Sequence, residues 1–181
     1  MRTIVVVDYD PAWPEVFQQL RLKVWPVVGD FALSVEHVGS TSVPGLAAKP
    51  IIDMSVVVSS EAEVRLAVKR LATLGYLHRG NLGIEGREAF HPPAGLPAHH
   101  LYVCPQGSLG LQNQLAVRDY LRAHREMAQA YGELKKRLAH EFPNDIESYV
   151  DGKTDFLLGI LREAGLPSDR LKAIEIANRK T

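Results

Sequence analysis

Residues 34–58 read SVEHVGSTSVPGLAAKPIIDMSVVV, and their reading decides the fold. The run over 31–38 is largely apolar and predicts a strand that ends at Gly39-Ser40. Pro44, Gly45 and Pro50 make the next segment turn-rich, with room for a short helix over 41–48. Residues 51–58 predict a second strand that carries one acid, Asp53, near its start. A carboxylate in an otherwise apolar strand is unfavourable unless something pairs with it. A metal ion, a basic residue or backbone donors can supply that pairing. The run thus describes a place where a backbone turn holds an anion and a carboxylate holds a cation.

Outward from this stretch, residues 3–7 are mostly β-branched and predict a strand. Asp10-Pro11 predicts a helix start, with Pro11 at the first helical position. Trp13, Val16, Phe17, Leu20 and Val24 then recur at helical spacing until Pro26, which is expected to end or kink that helix. Ser60 and Glu63 form a capping box for a helix with Val64, Ala67, Val68, Leu71 and Leu74 on its inner face, closed by Gly75. Residues 76–91 predict a hairpin, 91–98 a proline-rich loop, and 99–104 another strand. Beyond it the pattern is helical, over 108–123, 125–141, 155–164 and 169–178. The strands bunch between residues 31 and 104 rather than alternating regularly with helices. This predicts an α+β fold, not a doubly wound sheet. We expect one domain over 1–181, with a mixed-sheet core over 1–105 and a helical part over 106–181.

The composition narrows the function classes. The chain has 181 residues, 46% of them apolar, and its 21 Lys and Arg balance 21 Asp and Glu. Without a basic block, duplex nucleic acid is not the expected partner, and a small-molecule ligand fits better. No apolar run approaches the length of a membrane span, and the amino end lacks secretory character, so a cytoplasmic location is expected. The single Cys104 excludes an internal disulfide and reads as a buried thiol. Trp13, Phe17, Tyr131 and Phe156 read as core, because they are not interleaved with basic residues. Nothing in the chain specifies an oligomeric state.

The pattern of Gly39-Ser40, twelve intervening residues and then Asp53 resembles the nucleotidyltransferase signature. The longer text HVGSTSVPGLAAKPIID, over 37–53, resembles more specifically the GrpB family, also called UPF0157, whose members adopt the nucleotidyltransferase fold. The resemblance runs from DYDPAW to GKTDFL and is also dense at RDYLR, 118–122. It implies a nucleotidyltransferase-like mixed sheet with helices and a helical C-terminal half. It also implies a nucleoside triphosphate as substrate or ligand, Mg²⁺ as cofactor and transfer of a nucleotidyl group to a small acceptor. Family members fused to dephospho-coenzyme A kinase suggest an alternative, a non-catalytic module that binds a nucleotide or phosphorylated metabolite. A third alternative is a structural or folding-accessory protein whose helical half forms an interface.

Within this resemblance Gly39, Ser40, Thr41 and Ser42 are the expected phosphate-binding turn, through free N–H groups and hydroxyls. Asp53 is the expected metal ligand, or else a carboxylate paired with Lys49 or with an arginine of the helical half. Ser55 stands where the signature has its second carboxylate. His100 shares a strand face with Tyr102 and either replaces a third carboxylate, as ligand or base, or is bonded to backbone. His37 is placed to orient the turn, Asp53 or a substrate. Arg118 and Arg122 share a helix face and either grip a phosphate or form internal ion pairs. Lys49, Arg87 and Lys153 are further cationic candidates. If Asp53 and His100 share a metal, their ligand atoms should lie about 4 to 5 Å apart.

Overall fold

The computed structural model describes residues 3–179. At its centre is a five-stranded sheet in the order β1 (Ser34–Val38), β2 (Ile52–Val58), β5 (His99–Pro105), β4 (Glu88–His91), β3 (Leu77–His78). β2 and β5 run parallel and the other neighbours antiparallel, so the sheet is mixed and the fold α+β. A parallel pair needs a crossover connection. Here it is α2 (Glu61–Ala72) followed by the β3–β4 hairpin. Ser60 caps α2 by accepting the Glu63 N–H at 3.3 Å, while the Glu63 carboxylate accepts the Ser59 N–H at 2.7 Å.

Strand alternation sorts the side chains of β2 and β5 onto two faces. Met54, Val56, Val58, Leu101 and Val103 pack with Leu20, Val24 and Val28 of α1 (Trp13–Val28) and with Ala67 and Leu71 of α2. Asp53, Ser55, Val57, His100, Tyr102 and Cys104 alternate onto the opposite face. There α3 (Leu109–Ala123) lays Leu111 against Val57 and Cys104. α4 (Arg125–Glu141), α5 (Ile146–Glu163) and α6 (Ser168–Asn178) complete the helical half. Leu121, Ala128, Tyr131 and Ile160 of that half bury Val43 and Leu46 from the β1–β2 connection. The connection that carries the Gly-Ser turn is therefore held between sheet and helices. No helix among the described residues is long and apolar enough to cross a membrane.

Five local expectations are corrected. Residues 3–7 form no strand of the sheet. Only Val7 pairs, exchanging 2.9 Å hydrogen bonds with Ala48, while Ile4 is drawn to Leu138, Ala139 and Tyr149 of the helical half. α1 begins at Trp13 rather than Pro11, and the Asp10 carboxylate accepts the Ala12 N–H at 2.8 Å just before it. Pro26 lies inside the last turn of α1 and does not end it, because burial of Val24 and Val28 on either side holds that turn; of the two expectations only termination is overturned. Residues 41–48 form no α-helix. A single 3₁₀ turn, Ser40–Ser42, is followed by extended backbone at Val43. α5 starts at Ile146 rather than at residue 155, because Asp145 caps it and Gly152 does not break it. Leu138 of α4 packs so closely on Gly152 that a Cβ there would collide with it, so this glycine serves helix approach.

Candidate functional site

β1 delivers the chain to Gly39, and the register sets the preceding Val38 opposite Asp53 of β2. Gly39 has φ of +69°, and a Cβ at this position would collide with the Asp53 carboxylate. Both facts require glycine. On the other side of β2 the parallel register sets Asp53 beside His100 of β5. His100 Nδ1–H donates to Asp53 Oδ1 at 2.7 Å. The expected neighbours therefore meet, but in direct contact rather than at a metal-bridged separation. An ionised carboxylate only accepts, which fixes the proton on Nδ1 and leaves Nε2 as the basic nitrogen. The His100 side chain is 48% exposed and that of Asp53 27%.

Gly39, Ser40, Thr41, Asp53 and His100 open onto a cleft of about 300 Å³ between the sheet and the helical half. Lys49, Gln114, Arg118, Tyr131, Lys135, Tyr149 and Lys153 also line it, among apolar side chains. The hydroxyls of the turn differ in their freedom. Thr41 Oγ1 and His37 Nε2 share a 3.0 Å hydrogen bond, and Ser42 Oγ donates to the Gly39 carbonyl at 2.6 Å. Thr41 and Ser42 are buried and stabilise the turn itself; Ser42 does not line the cleft. Ser40 alone of the three hydroxyls is unengaged. His37 stacks on Phe17 at 4.6 Å between ring centroids. Burial, with the charges of Arg122 and Arg118, pushes it down to about 4 against the pull of Asp53. It is a neutral support for the turn.

The expected cationic residues separate. Arg118 lines the cleft, but its guanidinium donates to Glu36 at 2.8 Å, to Asp119 at 2.7 Å and to the His37 carbonyl at 3.2 Å. Arg122 clamps the Ser42 carbonyl with Nε at 3.0 Å and Nη2 at 2.8 Å. Both arginines fasten α3 to β1 and its turn, and Arg118 makes internal ion pairs with Glu36 and Asp119 while still lining the cleft. Arg87 lies outside the cleft lining and stacks over Tyr102 at 4.6 Å. The hairpin runs along β5 on the side away from β2, which separates Arg87 from the Gly-Ser turn.

The sequence reading missed Lys135 and assigned Tyr131 to core alone. Lys135 is 2% exposed, and its Nζ has no hydrogen-bond partner. It stands 4.6 Å from the Tyr131 ring centroid, while Lys153 and Lys49 stand 4.9 and 5.6 Å from that of Tyr149. Burial pushes Lys135 down to about 6; the charges of Lys153 and Lys49 act in the same direction and Asp53 opposes them. Burial and Lys49 bring Lys153 down to about 8, again against Asp53. A lysine four residues after Tyr131, on the buried face of a helix, was the available signal.

Residues 3–163 match the family described as GrpB protein. The chain belongs to the GrpB family. UPF0157 protein YqkA of Bacillus subtilis is 36% identical over 156 residues, which cover 86% of the chain and 46% of that protein. The chain thus spans about half the length of that relative. The crystal structure of conserved protein GrpB from Enterococcus faecalis superposes with a TM-score of 0.79 at 37% identity, covering 88% of this chain and 96% of that one. A structure of the Cid1 poly(U) polymerase with Mg and 3′-dATP bound gives a TM-score of 0.52 at 12% identity, over 84% of this chain and 49% of that one. That likeness is one of fold, and it links the chain to the nucleotidyltransferase-like architecture.

The architecture implies Mg²⁺, and the donor set does not fit it. Among the described residues no group of three His, Cys, Asp or Glu side chains is arranged to hold a metal ion. Asp53 and His100 are bonded to each other. The Ser55 hydroxyl, at the second-carboxylate position, donates to Gln114 at 2.6 Å. Lysine amines instead of further carboxylates line the same cleft. Cys104 offers no alternative nucleophile, since it is fully buried and burial pushes its thiol up to about 12.

Proposed function

We propose that the chain binds a small nucleotide-like or phosphorylated ligand in the cleft between sheet and helical half, as a binding domain on a nucleotidyltransferase-like fold. The observation that carries this reading is the meeting of the Gly39-Ser40 turn with the Asp53–His100 pair in one cleft. A pocket at the boundary between layers, with a few converging polar groups, is the usual form of a small-molecule site. Ser40 offers an unengaged hydroxyl, and the lysines offset negative charge. Calorimetry with ATP, GTP, CTP and UTP tests it. Binding of at least one nucleotide by folded protein is expected, and no heat at millimolar concentrations overturns the nucleotide reading.

Nucleotidyl transfer to a small acceptor is the second reading, and one observation favours it. Asp53 holds His100 with its basic Nε2 unbonded, which suits removal of a proton from an acceptor hydroxyl or amine. Pyrophosphate release from labelled triphosphates that disappears in Asp53→Asn would establish transfer over binding. The metal-dependent form of that chemistry has little support in the donor set, and neither reading routes a step through Mg²⁺. An interface role for the helical half is not favoured, because Leu121, Tyr131 and Ile160 are buried within the chain.

A further inference from the structure

We propose that Lys49, Lys135 and Lys153 form a metal-independent site for the phosphate chain of the cleft ligand, a nucleotide or other molecule carrying at least a diphosphate. The proposal rests on the reading of the cleft as a phosphorylated-ligand site and names what holds the phosphates there. Three amines reach one cleft from three separate elements: the β1–β2 connection, α4 and α5. Lys135 Nζ is the decisive group, since it is buried among apolar and aromatic side chains with no hydrogen-bond partner. An amine left unsatisfied in a core is destabilising and calls for an explanation. A bound phosphate oxygen would supply the missing acceptor and an opposite charge. Lys135, once protonated by an arriving phosphate, would with Lys49 and Lys153 offset the charge that a Mg²⁺ ion would otherwise offset.

Binding then carries a proton. In the empty cleft Lys135 faces Lys153 and Tyr149 from α5, Lys49 from the β1–β2 connection, Asp53 from β2 and Tyr131 on its own helix. His100 of β5 and Arg118 of α3 line the same cleft. Burial and the two neighbouring lysines outweigh Asp53 and hold Lys135 mostly neutral above about pH 6. An arriving polyanion reverses that balance, so the amine takes up a proton as the ligand seats.

Calorimetric titration of the whole chain with ATP and with inorganic pyrophosphate, each in EDTA and in excess Mg²⁺, tests the proposal. The expected result is binding of both probes in EDTA, with no gain from Mg²⁺. Lys135→Met and Lys153→Met should each weaken ATP roughly 10- to 100-fold, the value of one charge-assisted hydrogen bond. Repeating the titration near neutral pH in buffers of different ionisation enthalpy should show proton uptake in the wild type and little in Lys135→Met. Circular dichroism verifies that each variant is folded, and Lys153, being partly exposed, tolerates substitution if Lys135 does not. ATP binding that requires Mg²⁺, or wild-type affinity in both Met variants, overturns the lysine site and leaves the nucleotide reading standing. Pyrophosphate bound in EDTA by a chain that ignores all four nucleotides supports the lysine site and overturns the nucleotide reading. No binding of either probe overturns the lysine site, and the nucleotide reading falls as well only when GTP, CTP and UTP also give no binding.

Discussion

Ser55 Oγ donates a 2.6 Å hydrogen bond to Oε1 of Gln114, two residues along β2 from Asp53 and on the same face. α3 thereby closes the position where a second carboxylate would stand. Ser55 has no exposed surface. A carboxylate placed there would meet the Gln114 carbonyl and be cut off from water. Ser55→Asp should therefore lose about 2 to 4 kcal/mol of stability and gain no Mg²⁺ affinity. Urea denaturation with and without Mg²⁺ measures both. Recovery of the lost stability on adding Mg²⁺ would show that a metal pair can form, against the conclusion drawn from the donor set.

Gly39 and Asp53 are in close approach, and this predicts a specific cost. Gly39→Ala combines a positive φ with a collision against the Asp53 carboxylate, whereas Gly95→Ala has a positive φ of 83° and open space around it. Gly95→Ala should cost about 1 kcal/mol from backbone strain alone. Gly39→Ala should cost roughly 1 to 3 kcal/mol more, since Asp53 must move. It should also disturb the His100 Nδ1–H resonance through the displaced carboxylate. Equal losses in the two variants would mean that the Gly39 approach to Asp53 has no energetic weight.

The parts of this site that were legible in the sequence are local in the chain. Gly39, Ser40 and Asp53 lie within one strand-turn-strand unit, so spacing alone brings them together. His100 was reachable because strand alternation is regular, and a parallel β5 sets it directly beside Asp53. The lysine site was not legible in the same way, because Lys49, Lys135 and Lys153 meet only when α4 and α5 dock on the β1–β2 connection. Lys135 also precedes Lys136, which faces outward and pairs with Asp8 at 2.7 Å, so the dipeptide reads as a solvated face. The breaker residues misled for a related reason. Packing of Val24 and Val28 carries α1 through Pro26, and packing of Leu138 explains Gly152 within α5. In each case a tertiary contact overrides a local preference.

His37 predicts acid sensitivity. Its folded value is pushed down to about 4, by burial first and then by Arg122 and Arg118, against an unfolded value near 6.5. Between these values the unfolded chain binds more protons than the folded one, so stability falls as pH falls through that window. Below about 4 the loss from this group is complete. NMR titration of the imidazoles should show His37 neutral down to about pH 4. An inflection close to 6.5 for His37 would mean that the turn tolerates its charge, and that Phe17 and Thr41 do not hold it as described.

Lys135 predicts that the unliganded chain gives up stability at this cleft. Its folded value of about 6 lies far below the 10.5 of an ordinary lysine, chiefly through burial. From about pH 6 to 10.5 the unfolded chain holds a proton on this amine that the folded chain lacks. The sign of the linkage is then fixed: stability from this group rises with pH across that window, and its penalty is full below about 6. Methionine has a similar length, no charge and no unsatisfied donor. Lys135→Met should therefore raise the stability of the empty chain by about 1 to 3 kcal/mol near pH 6, the scale of one unsatisfied buried polar group. The gain should shrink steadily toward pH 10, as the cost of deprotonating the buried amine disappears and only that of its unpaired neutral donor is left. Urea midpoints of both proteins over this pH range measure it, read against Lys136→Met, whose surface ion pair should shift stability little. A Lys135→Met variant that loses stability at every pH would show that the amine has a partner in the folded chain, which would remove the reason to seek one in a ligand.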